Sequence, residues 1–162
     1  MFSIAPMRTN DLRAFFENPV FLSTLTSWFF AQFLKAFIVL LRSSRKSPKE
    51  IALPLMWKTG GMPSSHSSLV TALAVSVAFK EGPGSTLFIV TLCLALIVIR
   101  DSVGVRRSSG IQARSLNLLG RDVGERLGLE YHPVKEIQGH SPLEVLVGSL
   151  LGLFIAAAFA LL

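Results

Sequence analysis

The sequence predicts an all-α fold, a polytopic membrane helix bundle with about four transmembrane helices and short interfacial helices. Hydrophobic residues make up 51% of the 162-residue chain and charged residues only 16%, whereas an ordinary soluble domain has about 25% charged residues. A single cysteine excludes a disulfide framework and a cysteine-rich zinc site. The third observation is that the apolar residues are gathered into four segments, which is typical of a multi-pass membrane protein.

The four segments differ in how well their length matches a bilayer, which needs about 20 mostly apolar residues to cross roughly 30 Å of hydrocarbon. They are residues 20–41, 67–79, 87–99 and 143–162. The first and last have the required length, and each contains one charged residue, Lys35 and Glu144 respectively. The middle two are uncharged but short, so we expect them to span only if their flanking turns lie at the membrane surface.

We expect residues 1–162 to form a single integral membrane domain. Within it, residues 1–18 are predicted to be an interfacial N-terminal segment, in which the polar run 9–11 begins a short amphipathic helix. Residues 101–139 are predicted to be a cytoplasmic loop. We expect the Ser-Ser-Gly sequence at 108–110 to break the helix that enters this loop.

The basic residues predict how the bundle is oriented. Twelve of the sixteen Lys and Arg residues lie in the first and third connections, against Arg8, Arg13 and Lys80 on the other side and Lys35 inside a segment. Short connections rich in Lys and Arg stay in the cytoplasm. We therefore expect a multi-pass protein of the cell membrane whose first and third connections face the cytoplasm.

Lys35 is the first candidate for a functional role, because a charge inside an apolar segment costs roughly 2.5–3.5 kcal/mol on insertion scales. Arg42 lies seven residues later, which is two helical turns, so both residues share one face. The alternative interpretation is that Lys35 extends toward the lipid headgroups.

Two histidines each lie just before an apolar segment. His66 lies in the sequence GGMPSSHSS, whose glycines and proline form a loop that allows close approach of a ligand. Its alternative role is a surface residue beside a helix cap made by Ser64 or Ser65. His140 and Glu144 are four residues apart, so a carboxylate can hold one imidazole nitrogen and leave the other free to attack. Alone, this pair is also compatible with a structural hydrogen bond.

Arg106 and Arg107 follow the third apolar segment and can bind phosphate oxygens in a bidentate manner, although basic anchoring of the topology also explains them. The predicted topology brings both arginines, both histidines and Lys35 to the cytoplasmic ends of separate helices. One histidine that attacks, one that protonates a leaving group and several cations are suited to phosphoryl transfer. The pattern therefore predicts transfer through a phosphohistidine.

These residues resemble the type 2 phosphatidic acid phosphatase superfamily, which includes the vanadium haloperoxidases. Its motifs are K-x6-R-P, P-S-G-H and S-R-x5-H-x3-D. The matching residues are Lys35 and Arg42 followed by Ser43, then 63–66 with Ser65 in place of Gly, then His140 with Glu144 in place of Asp. The strings at 60–67, 101–113 and 139–148 resemble the divergent bacterial and plastid branch, and the resemblance covers residues 18–160.

The resemblance implies a nucleophilic His140 oriented by Glu144, with His66 as the acid for the leaving group. It implies that Lys35, Arg42 and Ser65 bind the phosphate without a metal or another cofactor. The family's arginine of the third motif is replaced by Val134. That cation is then expected from Lys135, Arg106 or Arg107. Asp101 is the one candidate for a metal ligand, and its alternative role is a salt bridge to Arg106 or Arg107 or a contact at the helix end.

The expected function is hydrolysis of a lipid phosphate monoester, either phosphatidylglycerophosphate or phosphatidic acid. Two alternatives stay open, a non-catalytic binder of anionic lipid headgroups and an isoprenoid diphosphate phosphatase. The expected partners are the lipid phosphate substrate, membrane lipids and a second copy in a homodimer. A nucleic-acid partner is disfavoured, because the cations lie beside an apolar bundle.

Overall fold

The computed structural model describes residues 9–42, 61–136 and 139–162, and these ranges contain six α-helices and no β-strand. The helices are α1 Thr9–Phe16, α2 Pro19–Arg42, α3 Ser65–Glu81, α4 Thr86–Val103, α5 Val105–Leu127 and α6 Pro142–Leu161. Three stretches are long and apolar enough to cross a membrane, namely Pro19–Leu41, Thr86–Leu127 and Pro142–Leu161. The predicted all-α membrane bundle is therefore confirmed.

The helix α3 forms the centre of the bundle and packs against α2, α4 and α6. Its 17 residues extend about 26 Å, which makes it shorter than the three candidate spans. Its buried residues are small: Ser65, Ser67, Ser68, Val70, Ala72, Ala74, Ser76 and Val77. Because small side chains let helix backbones approach closely, α3 can be enclosed by three neighbours at once.

The contact between α3 and α6 is made by backbone against backbone. A Cβ atom added to Gly148 would overlap the carbonyl oxygen of Ser64, and one added to Gly152 would overlap that of Ser68. Both glycines are four residues apart and so are both serines, which makes this a small-residue helix interface. The amide of Ser64 also donates to the carbonyl of Glu144 at 3.0 Å.

Paired serines set the position of α2 along α3. The hydroxyls of Ser23 and Ser76 are 2.6 Å apart. One turn further along α2, the hydroxyl of Ser27 is hydrogen-bonded to that of Ser68 in the same way. Such interhelical hydrogen bonds contribute on average about 0.6 kcal/mol each in a membrane protein. They nevertheless fix the register of α2, and with it the height of Lys35 in the bundle.

The prediction that residues 108–110 break a helix is wrong, because α5 runs without interruption from Val105 to Leu127. The interruption lies at Gly104, where an added Cβ atom would come within 2.9 Å of the carbonyl oxygen of Arg100. The backbone of Gly104 (φ −94°, ψ −86°) also departs from helical values, so the chain bends there between α4 and α5. Most of the predicted loop 101–139 is accordingly helical.

Beyond α5 the chain returns along the same helix, and residues 129–136 and 139 are called the return segment below. Gly128, with φ of 66°, ends α5. Tyr131 lies directly on Gly120, and the buried Asn117 bonds Tyr131, Val134 and Glu136 at 2.8 to 2.9 Å. Gly139 then lies against the backbone of Arg107. The return segment thereby brings the chain back to the start of α5 immediately before α6.

The predicted N-terminal helix is confirmed as α1, and α2 begins at Pro19 as expected from proline's preference for the first helical turn. The side-chain oxygen of Asn18 accepts from the amide of Val20 at 3.0 Å. The rings of Phe15 and Phe21 pack with their centroids 4.4 Å apart, so α1 is attached to the outer end of α2.

We predict that Gly152→Ala destabilises the protein by about 1–3 kcal/mol, the usual cost of overpacking a close interface. The added methyl group meets a backbone oxygen that no side-chain rotation can move. The measurement is the thermal unfolding midpoint in detergent. The matched control is Gly84→Ala, since nothing lies within 4 Å of a Cβ atom at that turn position. Equal midpoints for the two variants contradict the prediction.

Candidate active site

Four helices begin or end close together at one end of the bundle. This end contains the last turns of α2 and α4 and the first turns of α3 and α6. The turn between α3 and α4 lies at the other end, where Lys80 donates to Asn18 at 3.4 Å. The fold brings Lys35, His66 and His140 to the same end of the bundle.

His140 and Glu144 form a buried pair at the start of α6. The Nδ1 atom of His140 is 3.0 Å from Oε2 of Glu144, and the histidine is only 6% exposed. Because an ionised carboxylate only accepts hydrogen bonds, Nδ1 carries the proton and Nε2 keeps its lone pair. The backbone amide of His140 donates to the carbonyl of Ser102 at 3.2 Å, which ties this residue to α4.

A capping box holds Glu144 in place. The side chain of Ser141 accepts from the amide of Glu144 at 3.4 Å, and the amide of Ser141 donates to Oε2 of Glu144 at 3.1 Å. Pro142 occupies the first turn, where its fixed φ suits a helix start. The carboxylate therefore has two hydrogen-bond donors, the histidine ring and a backbone amide, and its orientation is fixed by the helix end.

Lys35 is 4% exposed, so it does not reach out of the protein as the headgroup interpretation proposed. Its methylene groups lie against Gly61, 3.8 Å from the position of an added Cβ atom there. A cavity of about 230 Å³ borders Lys35, Gly61, Ser141 and Glu144. The cation and the carboxylate of the histidine pair therefore line the same small space and attract each other.

His66 lies in the first turn of α3, outside the three candidate spans. Ser64 caps the helix and accepts from the amide of Ser67, as the alternative interpretation expected, and Ser65 is buried. Partial desolvation lowers the pKa of His66 below its ordinary value, although the residue as a whole is exposed. Electrostatic interactions with Arg106, His140 and Lys35 lower this pKa further. These charges belong to other segments, so His66 shares an electrostatic environment with them.

The two arginines at the start of α5 have different surroundings. Arg106 donates to Asp101 at 2.7 Å, which is the ion pair expected for that aspartate. Arg107 is exposed and supports Gly139 with its backbone. In the part of the chain that the structure describes, no group of three or more His, Cys, Asp or Glu residues is arranged to hold a metal ion. Asp101 is therefore placed as an ion-pair partner.

Two predicted phosphate ligands are not brought to this cluster by the described contacts. Arg42 is the last residue of α2, and its side chain lies outside the described residues. Lys135 is exposed on the return segment, between two residues that are bonded to Asn117. Asn117 is ten residues from Arg107, which is about 15 Å along the helix.

Sequence reasoning did not identify the capping role of Ser141, and it favoured an ordinary polar loop residue at Asn117 over one that lines the substrate site. The S-x2-E spacing is a recognisable sign of a capping box and identifies Ser141. Asn117 carries no such sign, because its partners lie 14 to 19 residues further along the chain. Nothing local in the sequence distinguishes it from an ordinary exposed asparagine.

Comparison with known proteins identifies the family of this chain. Residues 16–155 match the family model described as "Divergent PAP2 family". A Bacillus subtilis (strain 168) protein described as "Uncharacterized membrane protein YuiD" is 37% identical over 150 residues, covering 86% of this chain and 92% of that protein. No solved structure matches. The match over most of the chain shows that this protein belongs to the divergent PAP2 family.

Proposed function

We propose that this protein is a membrane-embedded phosphatase for lipid phosphate monoesters of the phosphatidylglycerophosphate or phosphatidic acid type. The observation that carries the proposal is the buried pair of His140 and Glu144 beside Lys35 and within the electrostatic environment of His66. An oriented histidine with one free nitrogen is a nucleophile, and the nearby cations suit the charge of a phosphate group.

In the first step, Nε2 of His140 attacks the phosphorus atom and the bond between phosphorus and the lipid oxygen breaks. His66, in its protonated form, donates a proton to that oxygen, so the lipid leaves as a neutral alcohol. The phosphoryl group is now bound to His140 as a phosphohistidine. Glu144 stabilises the positive charge that develops on the imidazole ring, while Lys35 and the arginines at the start of α5 attract the phosphoryl oxygens.

In the second step, water attacks the phosphohistidine and transfers a proton to the now neutral His66. The bond between nitrogen and phosphorus breaks, inorganic phosphate leaves and His140 regains its free nitrogen. Both histidines return to their starting protonation states, so no metal ion and no redox cofactor is required. The excess of basic residues in the first and third connections supports a cytoplasmic orientation of this chemistry.

One alternative is a protein that binds anionic lipid headgroups without turnover. Two observations favour it: Val134 replaces the third-motif arginine, and Arg106 is already paired with Asp101. Incubation with a panel of phosphatidylglycerophosphate, phosphatidic acid and an isoprenoid diphosphate distinguishes the two functions. Release of inorganic phosphate supports the enzyme, whereas saturable binding without release supports the binder.

We predict that His140→Ala abolishes phosphate release from the preferred lipid, because the nucleophile is lost. His132 is a suitable control, since it is an exposed histidine on the return segment. His132→Ala is expected to retain nearly full activity, and cooperative thermal unfolding in detergent checks that both variants are folded. Full activity of a folded His140→Ala variant excludes the proposed mechanism.

We predict that Glu144→Gln lowers kcat by roughly 10²–10⁴-fold, the range typical of acid–base groups. An amide can still accept the capping hydrogen bond, but its neutral group no longer stabilises a positive imidazole. Glu81→Gln, at the opposite end of the bundle, is the control and is expected to leave kcat unchanged. A Glu144→Gln variant with unchanged kcat contradicts the orienting role.

We predict that kcat/KM falls as the pH rises through the lowered pKa of His66, since only protonated His66 can act as the acid. A bound phosphate group adds negative charge beside the ring, so the corresponding limb of kcat is expected at a higher pH. The measurement is a pair of pH profiles for a lipid substrate. In the His66→Ala variant, neither kcat/KM nor kcat is expected to show this fall with rising pH. The variant is expected to recover activity on an ester whose leaving group needs no proton. An unchanged profile in His66→Ala contradicts this role.

A further inference from the structure

The bend between α4 and α5 encloses a groove that the proposed phosphatase chemistry does not use. The groove has a volume of about 1030 Å³ and opens to the outside. It is lined by Leu96, Ile99, Arg100, Val103, Gly104, Val105, Ser108, Ser109 and Gln112. None of these residues belongs to the pair of His140 and Glu144 or to the cavity beside Lys35.

The groove residues occupy one face on each helix. On α4 the lining residues are Leu96 and the residues three, four and seven positions after it. On α5 they are Val105 and the residues three, four and seven positions after it. The same face of α5 continues through Leu116, Leu119 and Val123, which are 41% to 61% exposed. The inner side of the bend is therefore one continuous surface that extends from α4 onto the outer half of α5.

The membrane-spanning position of α4 determines what this surface faces. Among the helices of the described ranges, α5 packs only against α4, so it leaves the bundle rather than joining it. The stretch that contains α4 is long and apolar enough to cross a membrane. With α4 in the bilayer, the inner side of the bend at Gly104 faces the bilayer itself. An amphipathic helix in that position lies at the membrane surface with its apolar face in the acyl region.

The chemistry of the groove matches the parts of a phospholipid. Leu96 and Ile99 form an apolar wall toward the middle of the bilayer, while Arg100 and the hydroxyls of Ser108 and Ser109 lie nearer the bend. Among the described residues Arg100 forms no ion pair, and the lining contains no carboxylate. One cation without an acid favours a headgroup of negative net charge over a zwitterionic headgroup, whose ammonium group would be left without a partner.

We propose that this groove binds an anionic phospholipid of the surrounding leaflet, and that the outer half of α5 lies on the membrane surface beside it. The phosphate lies at Arg100 and the two serines, and an acyl chain lies along Leu96 and Ile99. The bound lipid is a phosphodiester retained by the protein, not a monoester turned over at His140. The inference therefore rests on the membrane fold and not on catalysis.

The first test measures the immersion depth of α5 in phosphatidylglycerol nanodiscs that hold one copy of the protein. Spin labels are attached to Leu119→Cys or Arg121→Cys in a Cys93→Ser background, because Cys93 is the only cysteine. Positions 119 and 121 lie on opposite sides of α5. We expect the label at 119 to collide severalfold more often with oxygen than with a water-soluble nickel complex, and the label at 121 to show the reverse. Equal accessibility at the two positions overturns the proposal.

The second test measures lipid retention by native mass spectrometry after detergent extraction. We expect the protein to retain phosphatidylglycerol over phosphatidylcholine, and Arg100→Gln to lower that retention about tenfold. Ser109→Phe, which fills the groove, is expected to have the same effect. Arg114→Gln, an exposed charge on the other side of α5, is the control and is expected to behave like the unaltered protein.

Vanadate at saturating concentration distinguishes the groove from the proposed active site, because it mimics the phosphate group at His140. We expect retention of phosphatidylglycerol to be unaffected by vanadate. Release of the lipid by vanadate, unchanged retention in Arg100→Gln and Ser109→Phe, or equal retention of phosphatidylcholine each overturns the proposal. Lipid retention and spin-label accessibility are measured without phosphatase activity. Failure of the proposed phosphatase function therefore does not imply failure of the lipid-binding proposal, and the reverse also holds.

Discussion

The direct contact between the backbones of α3 and α6 is the constraint on which the rest of the structure depends. Gly148 and Gly152 leave no space for a side chain against Ser64 and Ser68. The helices are therefore locked in register near their first turns, where Gly148, eight residues after His140, meets Ser64, two residues before His66. A shift of one helical turn would separate the two histidine motifs by about 5.4 Å.

The same contact explains how charged residues persist inside an apolar bundle. Lys35 and His140 are almost completely buried, and an isolated buried charge is strongly unfavourable. Here the carboxylate of Glu144 lies beside the histidine and within attraction of the lysine, while the start of α6 supplies a backbone amide. Lys35 therefore has an opposite charge nearby, and the polar groups of His140 and Glu144 have hydrogen-bond partners. Such an arrangement needs helix ends at fixed positions, which the tight packing of small residues provides.

Sequence reasoning identified the apolar segments and the candidate site residues because both follow from simple periodicities. A charge inside an apolar segment, as at Lys35, and a spacing of four residues, as between His140 and Glu144, are visible without coordinates. The course of 101–139 was not predictable in this way. Serine and glycine at 108–110 cost at most about 1 kcal/mol each in helix propensity, which the rest of a 23-residue helix and its packed return segment can offset. The hydrogen-bond partners of Asn117 are distant in sequence, and no local sequence pattern identifies them.

The return segment also bears on which cation replaces the missing arginine of the third motif. Val134 and its neighbours are held on Asn117, about 15 Å along α5 from Arg107. A basic side chain at position 135 therefore begins far from the histidine pair, whereas Gly139 rests on the backbone of Arg107 and His140 on that of Ser102. Arg106 already acts electrostatically on His66. The described geometry thus favours the two arginines at the start of α5 over Lys135 as candidates for the phosphate-binding cation.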